Sequence, residues 1–162
     1  MTSRIEISLA SQTLRLVDAD DRKLAEYRVS SARKGAGEQY GSFCTPRGAH
    51  LIRAKIGDGA AINTVFVKRR PTGETYTPEL GARYPGRDWI LTRILWLSGC
   101  EPGFNRLGKV DTMRRYIYIH GSPDSVEMGT PGSIGCIRMR NADLLELFDA
   151  VAAGTQVEIS EY

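Results

Sequence analysis

Cys136 and His120 are the residues of this chain best suited to chemistry, and sixteen positions separate them. A cysteine becomes an acyl-transfer nucleophile as a thiolate, and a nearby imidazole is the usual means of making one near neutral pH. Cys136 sits in the run Gly132-Ser133-Ile134-Gly135-Cys136-Ile137-Arg138-Met139. Gly135 has no Cβ, which lets backbone N–H groups approach a developing oxyanion. A free cysteine is more often a small buried hydrophobe than a nucleophile, so its surroundings decide.

Those surroundings are positioning elements. Ile117 to Gly121 reads as a strand entering a tight turn, which puts His120 at a strand end. Ser133 to Met139 returns as a glycine-bearing loop. Asn141 then reads as the N-cap of an apolar helix in which Leu144, Leu145, Phe148 and Val151 face the sheet, with Gly154 at its C′ position.

Upstream, Ile5, Ile7 and Leu9 alternate, and runs 14–17 and 24–29 follow after polar turns, a β-meander. Residues 30–41 form a glycine-bearing loop. Runs 50–56, 64–68 and 89–97 read as further strands, the last strongly apolar. Residues 69–86 and 99–111 are rich in turn formers and long enough to wall a cleft. Trp96 and Tyr118 read as core, and His50 as a strand surface or packing residue. The fold class is mainly β, a meander-rich sandwich or closed sheet with a C-terminal helix and long loops.

A chain of 162 residues fits one domain spanning 1–162. The net charge of +3 is mild and, without a basic helix bearing interleaved aromatics, does not call for nucleic acid. Cys44, Cys100 and Cys136 are odd in number and widely spaced, which argues against a disulfide framework, and no ligand spacing calls for a metal or cofactor. No stretch approaches the ~20 apolar residues of a membrane span. Met1-Thr2-Ser3-Arg4 leads into a period-two strand without an apolar leader, so a cytoplasmic location is expected.

The segment from Tyr118 to Ile159 resembles the YkuD-type L,D-transpeptidase catalytic domain. The resemblance is carried by His120-Gly121, by Ser133-Ile134-Gly135-Cys136-Ile137-Arg138-Met139 and by Gly154-Thr155-Gln156-Val157, with Thr45-Pro46-Arg47-Gly48 in the N-terminal half. Many members have histidine where this chain has Ile134.

The resemblance implies acyl transfer at an L,D-peptide bond of the peptidoglycan stem. Cys136 would attack the carbonyl of the diamino acid and form a thioester. His120 would take the thiol proton and protonate the departing D-alanine amine. The carbonyl of Gly121 would orient the imidazole, and amides near Ile134, Gly135 and Cys136 would bind the oxyanion. Arg138 would bind a substrate carboxylate, and Ser133 would support the loop. Together with the expected location, this points to an L,D-carboxypeptidase that trims D-alanine from tetrapeptides during murein recycling. Cross-linking or D-amino-acid exchange, and non-catalytic muropeptide binding, are the alternatives. The resemblance also implies that carbapenems could acylate Cys136.

Overall fold

Period-two alternation sets most of the strands. The structure, a computed structural model, describes residues 3–162; Met1 and Thr2, where the reading of the terminus begins, lie outside the described residues. Strands β1 (Arg4–Ser8), β2 (Thr13–Val17) and β3 (Lys23–Ser30) form the expected antiparallel meander. In β1, Ile5 and Ile7 are buried while Arg4, Glu6 and Ser8 keep partial exposure. Then come β4 (Gly48–Ile56), the hairpin β5 (Thr64–Val67) and β6 (Arg70–Thr75), the short helix α1 (Pro78–Arg83) and β7 (Ile90–Gly99). The chain ends with β8 (Tyr118–Gly121), β9 (Ile137–Met139), helix α2 (Asn141–Ala150) and β10 (Gln156–Ser160).

The sheet is closed. Its order is β4-β10-β1-β2-β3-β9-β8-β7, and β4 pairs again with β7, so the eight strands make a ring. The β5–β6 hairpin extends from the part of β7 that β4 leaves free, through Val65 opposite Leu91 and Phe66 opposite Ile90. Ring closure gives each of the eight strands a neighbour on both sides and an inner and an outer face, while β6 remains an exposed edge of the hairpin. The inner face carries the main core: Ile5, Ile7, Leu14, Val29, Ile52, Leu95, Leu97, Ile119, Ile137 and Ile159, with Leu144, Leu147 and Phe148 of α2. Burying each such side chain is worth about 1.5–3 kcal/mol.

Three local readings differ. Asn141 is not the N-cap; Arg140 is. The Asn141 amide is buried in a network instead, accepting from Thr92 Oγ1 (2.8 Å) and donating to Asn63 Oδ1 (2.9 Å), while Asn141 itself is already the first helical residue. Leu147, not Leu145, completes the buried helix face. The helix closes at Val151, and Gly154 (φ +91°) serves a later turn whose amide reaches Ile52 O. Within residues 69–86, β6 and α1 form, the latter capped by Thr77 Oγ1 on the Leu80 amide. Among the described residues no helix is long and apolar enough to cross a membrane.

His50 is a packing residue. Its ring bonds Gly48 O (2.9 Å) and Thr112 Oγ1 (3.0 Å) deep in the wall. Burial lowers its pKa to about 4, against the opposing pull of the Gly48 carbonyl and of Glu101 and Glu38. A folded pKa below the ordinary ~6.5 means His50 contributes stability that is complete above pH ~6.5. That contribution is lost as pH falls toward 4, on the order of 3 kcal/mol. Thermal unfolding midpoints should therefore drop between pH 7 and pH 4.5, and His50→Gln should shrink that drop.

Candidate functional site

The outer face of the ring carries the candidate residues. β8 and β9 run parallel, with Ile119 opposite Ile137, His120 opposite Arg138 and Gly121 opposite Met139. Side chains alternate across a strand, and register partners share a face. Ile119, Ile137 and Met139 point into the core, so His120 and Arg138 point outward. Cys136, two residues before Arg138, falls on that same outer face beside Tyr118. On the other side of β8, β7 supplies Ile94 opposite His120 and Trp96 opposite Tyr118. A gap of sixteen residues in sequence becomes one step along paired strands.

Tyr118 is a core residue, as read from the sequence, and Trp96 packs against that core, but the cluster is a second one, on the outer face. Phe66 and Ile94 belong to it with Tyr118, and Cys136 packs against it as well. Tyr118 and Cys136 line the same cavity, about 730 Å³ in volume, together with Tyr40, Phe43, Asp88, Tyr116 and Ile134.

His120 is fully buried, and its Nδ1 lies 2.6 Å from the Gly121 carbonyl, which fixes the ring. Its Nε2 has no hydrogen-bond partner among the described residues. Burial holds the imidazole below its ordinary pKa; Asp88 and the Gly121 carbonyl push the other way, and Arg138 adds to the lowering. A buried imidazole nitrogen without a partner is costly and marks a position that a proton or a ligand can fill.

The Cys136 sulfur receives the Tyr118 amide at 3.3 Å and faces the Tyr116 carbonyl at 3.4 Å. The residue keeps part of its surface open to the cavity, but packing around the sulfur pushes the thiol up to about 12. The Tyr118 amide and the guanidinium groups of Arg138 and Arg115 oppose that rise, while Asp88 adds to it. Burial thus disfavours the charged form of both groups, pushing the thiol up and the imidazole down. Hydrogen bonds between catalytic groups commonly tighten only when substrate is bound.

The loop before Cys136 is held on all sides. Ser133 Oγ donates to Cys136 O (2.5 Å) and accepts from the Gly135 amide (3.2 Å). Thr45 Oγ1 donates to Gly135 O at 2.9 Å. The amides of Gly132 and Ser133 reach Ser31 O, and the Arg33 amide reaches Ser133 O. Gly135 has φ +136°, and a Cβ there would sit 3.2 Å from Ile117 Cδ1 and 3.3 Å from Cys44 O, so glycine suits the turn. With the Gly135 amide taken by Ser133, the amides of Ile134 and Cys136 remain, and among the described residues neither donates to a protein acceptor.

The L,D-transpeptidase catalytic domain profile of the YkuD family matches residues 2–159. The chain belongs to the YkuD family. The probable L,D-transpeptidase YbiS of Escherichia coli strain K12 is 32% identical over 108 residues, 64% of this chain and 34% of that protein. The chain thus spans about a third of that relative's length. The L,D-transpeptidase of Xylanimonas cellulosilytica DSM 15894 superposes with a TM-score of 0.55 at 22% identity, covering 98% of this chain and 60% of that one. L,D-transpeptidase 3 of Mycobacterium tuberculosis, solved with a faropenem-derived adduct, gives 0.61 at 15%, covering 99% and 60%. At these identities the solved structures speak for the fold: a mainly β YkuD domain.

Set on this YkuD framework, the sequence-derived residues converge. Cys136, His120, Gly121, Ser133, Ile134, Gly135 and Arg138 all lie on β8, on β9 or in the loop entering β9. Arg138 is not free: it donates to Asp88 (3.0 Å) and to Gly132 O (3.2 Å). Sequence reasoning missed Asp88, Thr45, the Tyr118 amide and Arg115, which holds Gly37 O and Cys44 O. Thr45 had a signal in the family-like Thr-Pro-Arg-Gly turn; Asp88 had none. Among the described residues no cluster of ligands could hold a metal.

Proposed function

We propose that this domain, spanning 1–162, transfers an acyl group from the L,D-peptide bond of a peptidoglycan stem to Cys136, releasing D-alanine. The observation that carries the reading is the unpartnered Nε2 of a ring-locked His120 on the same outer face as Cys136. His120 accepts the thiol proton as sulfur attacks the carbonyl, and the amides of Ile134 and Cys136 receive the oxyanion. Collapse returns the proton to the departing amine and leaves a thioester. Gly135 contributes its backbone turn, Ser133 holds that turn, and Arg138 joins it to Asp88.

Water is the acceptor assigned first, which makes the activity an L,D-carboxypeptidase. The cavity wall carries Lys68, Arg69, Arg114 and Arg115, and its acid, Asp88, is already held by Arg138. An acceptor amine arrives as an ammonium and meets like charge there, whereas water does not. A cytoplasmic setting, with soluble tetrapeptides as substrate, suits this outcome. Resolution by an amine would give transpeptidation, the activity in the relatives' names. Acylation of Cys136 by carbapenems and related β-lactams accords with the faropenem adduct of the Mycobacterium tuberculosis protein.

Mass spectrometry of a diaminopimelate-containing tetrapeptide, with and without excess D-amino acid, tests the reading. Tripeptide and free D-alanine that depend on Cys136, with little exchange product, are expected. Dominant exchange or dimer would replace hydrolysis by transpeptidation. No turnover would remove the enzymatic reading and favour muropeptide binding.

A further inference from the structure

The β5–β6 hairpin turns through Lys68 and Arg69, with Val67 paired to Arg70 across it. Both turn residues have positive φ, +49° and +64°. Two-residue hairpin turns of this kind favour Asn-Gly, because side chains with Cβ resist that region. Here two long cations occupy it instead. Strain kept in place by surrounding contacts is a pointer to function.

Those contacts are specific. The Arg69 guanidinium carbon lies 4.8 Å from the Trp96 ring centre and 4.6 Å from that of Tyr116. Its Nη1 donates to Tyr118 Oη at 2.9 Å. All three aromatic partners stand on or beside the outer face that carries Cys136, and Arg69 lines the same cavity. The turn therefore lines the same cavity as Cys136 and holds a guanidinium against Trp96, Tyr116 and Tyr118. One of its five N–H groups is used at Tyr118. Among the described residues no carboxylate pairs with Arg69, Lys68, Arg114 or Arg115. Arg115 spends its donors on the neutral acceptors Gly37 O, Cys44 O and Ser42 Oγ. The wall beside Cys136 is cationic, and the one carboxylate among its described lining residues, Asp88, is paired with Arg138 rather than with these four.

We infer that Arg69 is a carboxylate-binding residue that selects an acyl donor bearing a free carboxylate near the scissile bond, with Lys68 and Arg114 supporting the charge. The inference rests on the stem-peptide reading above and names which form of that substrate is accepted. A stacked guanidinium presents two parallel N–H groups to a carboxylate, a geometry that neither a lysine nor a neutral amide partner reproduces. Arg138 is not the equivalent receptor, because Asp88 and Gly132 O already engage it.

The test uses tetrapeptides in which one carboxylate at a time is converted to its amide. Tripeptide release is measured on the wild type, Arg69→Gln and Arg69→Lys, since a terminal amide would leave as D-alaninamide, and binding is measured on Cys136→Ala. Amidation of one particular carboxylate should raise KM by about 10- to 100-fold in the wild type. Arg69→Gln should lose the same factor on the free peptide and show no further loss on that amide, while Arg69→Lys recovers part of it. Equal turnover of free and amidated peptides by the wild type would overturn the inference and leave the proposed function standing; this arm needs no variant to fold. Equal amidation penalties in the wild type and Arg69→Gln would overturn it too. No turnover by the wild type and no binding of any tetrapeptide would overturn the proposed function, and this inference with it.

Discussion

Changing Cys136 to alanine should abolish tripeptide release, and changing His120 to glutamine should lower acylation by about 10²–10⁴-fold. The two losses have different origins, and pH separates them. Burial holds the His120 imidazole below its ordinary pKa. A base with a lowered pKa stays neutral, and so competent, at pH values where a free imidazole would be protonated. The acid limb of wild-type acylation should therefore lie below pH ~6.5, and His120→Gln should lack it. Burial also pushes the Cys136 thiol up to about 12. A resting thiolate–imidazolium pair would give iodoacetamide alkylation a plateau near neutral pH that disappears with His120. A neutral pair, which the burial of both groups favours, predicts slow alkylation at pH 7–8 that climbs with pH and changes little in His120→Gln. Alkylation and substrate acylation, measured by mass spectrometry on the same two variants, should thus diverge. A neutral-pH alkylation plateau in the wild type would contradict the neutral resting pair.

Much of the site was legible because its chemistry is concentrated in short runs. The Ser-x-Gly-Cys-x-Arg stretch and the preceding His-Gly are contiguous, and β8 and β9 bring them together by one parallel pairing. The meander was legible because β1 to β3 alternate cleanly. Closure was left as one of two alternatives, sandwich or closed sheet, since the pairing of β4 with β7 joins strands distant in sequence whose patterns name no partner. That open choice hid the outer face. An apolar run such as 89–97 reads as core without saying which face each residue serves: Leu95 and Leu97 join the inner cluster, while Ile94, Tyr118 and the half-buried Trp96 make a second cluster on the outer face. Asn141 misled for a related reason: an asparagine before an apolar helix suggests a cap, but Thr92 and Asn63, far away in sequence, claim its amide. Asp88 and Arg69 carried no local signal. Their roles come from what the fold sets beside them.

Gly121→Ala should damage stability and catalysis together. A Cβ at Gly121 would fall 2.2 Å from Asn141 Oδ1 and 2.6 Å from Leu91 O, with Thr92 Cβ at 3.2 Å. The first clash is with the buried amide that ties Thr92 to Asn63; the second is with the backbone of β7. Neither is the free end of a flexible side chain, so β7, the start of α2 or β8 itself must move. Overpacking of this kind costs about 1–3 kcal/mol. In a domain of this size that corresponds to a fall in Tm of about 2–12 °C. The catalytic loss follows from what Gly121 holds. Its carbonyl fixes His120 Nδ1 at 2.6 Å and so aims Nε2. A displacement of about 1 Å at an orienting group can cost about 10²-fold in rate. Gly86 provides the control: a Cβ there meets nothing within 4 Å, and Gly86→Ala should leave both quantities near wild type. Denaturation midpoints with kcat/KM on the tetrapeptide check both halves. If Gly121→Ala kept full activity with a lowered Tm, the carbonyl of residue 121 would not be what orients His120. If it kept both, the close packing of β8 against β7 and α2 would itself be in error.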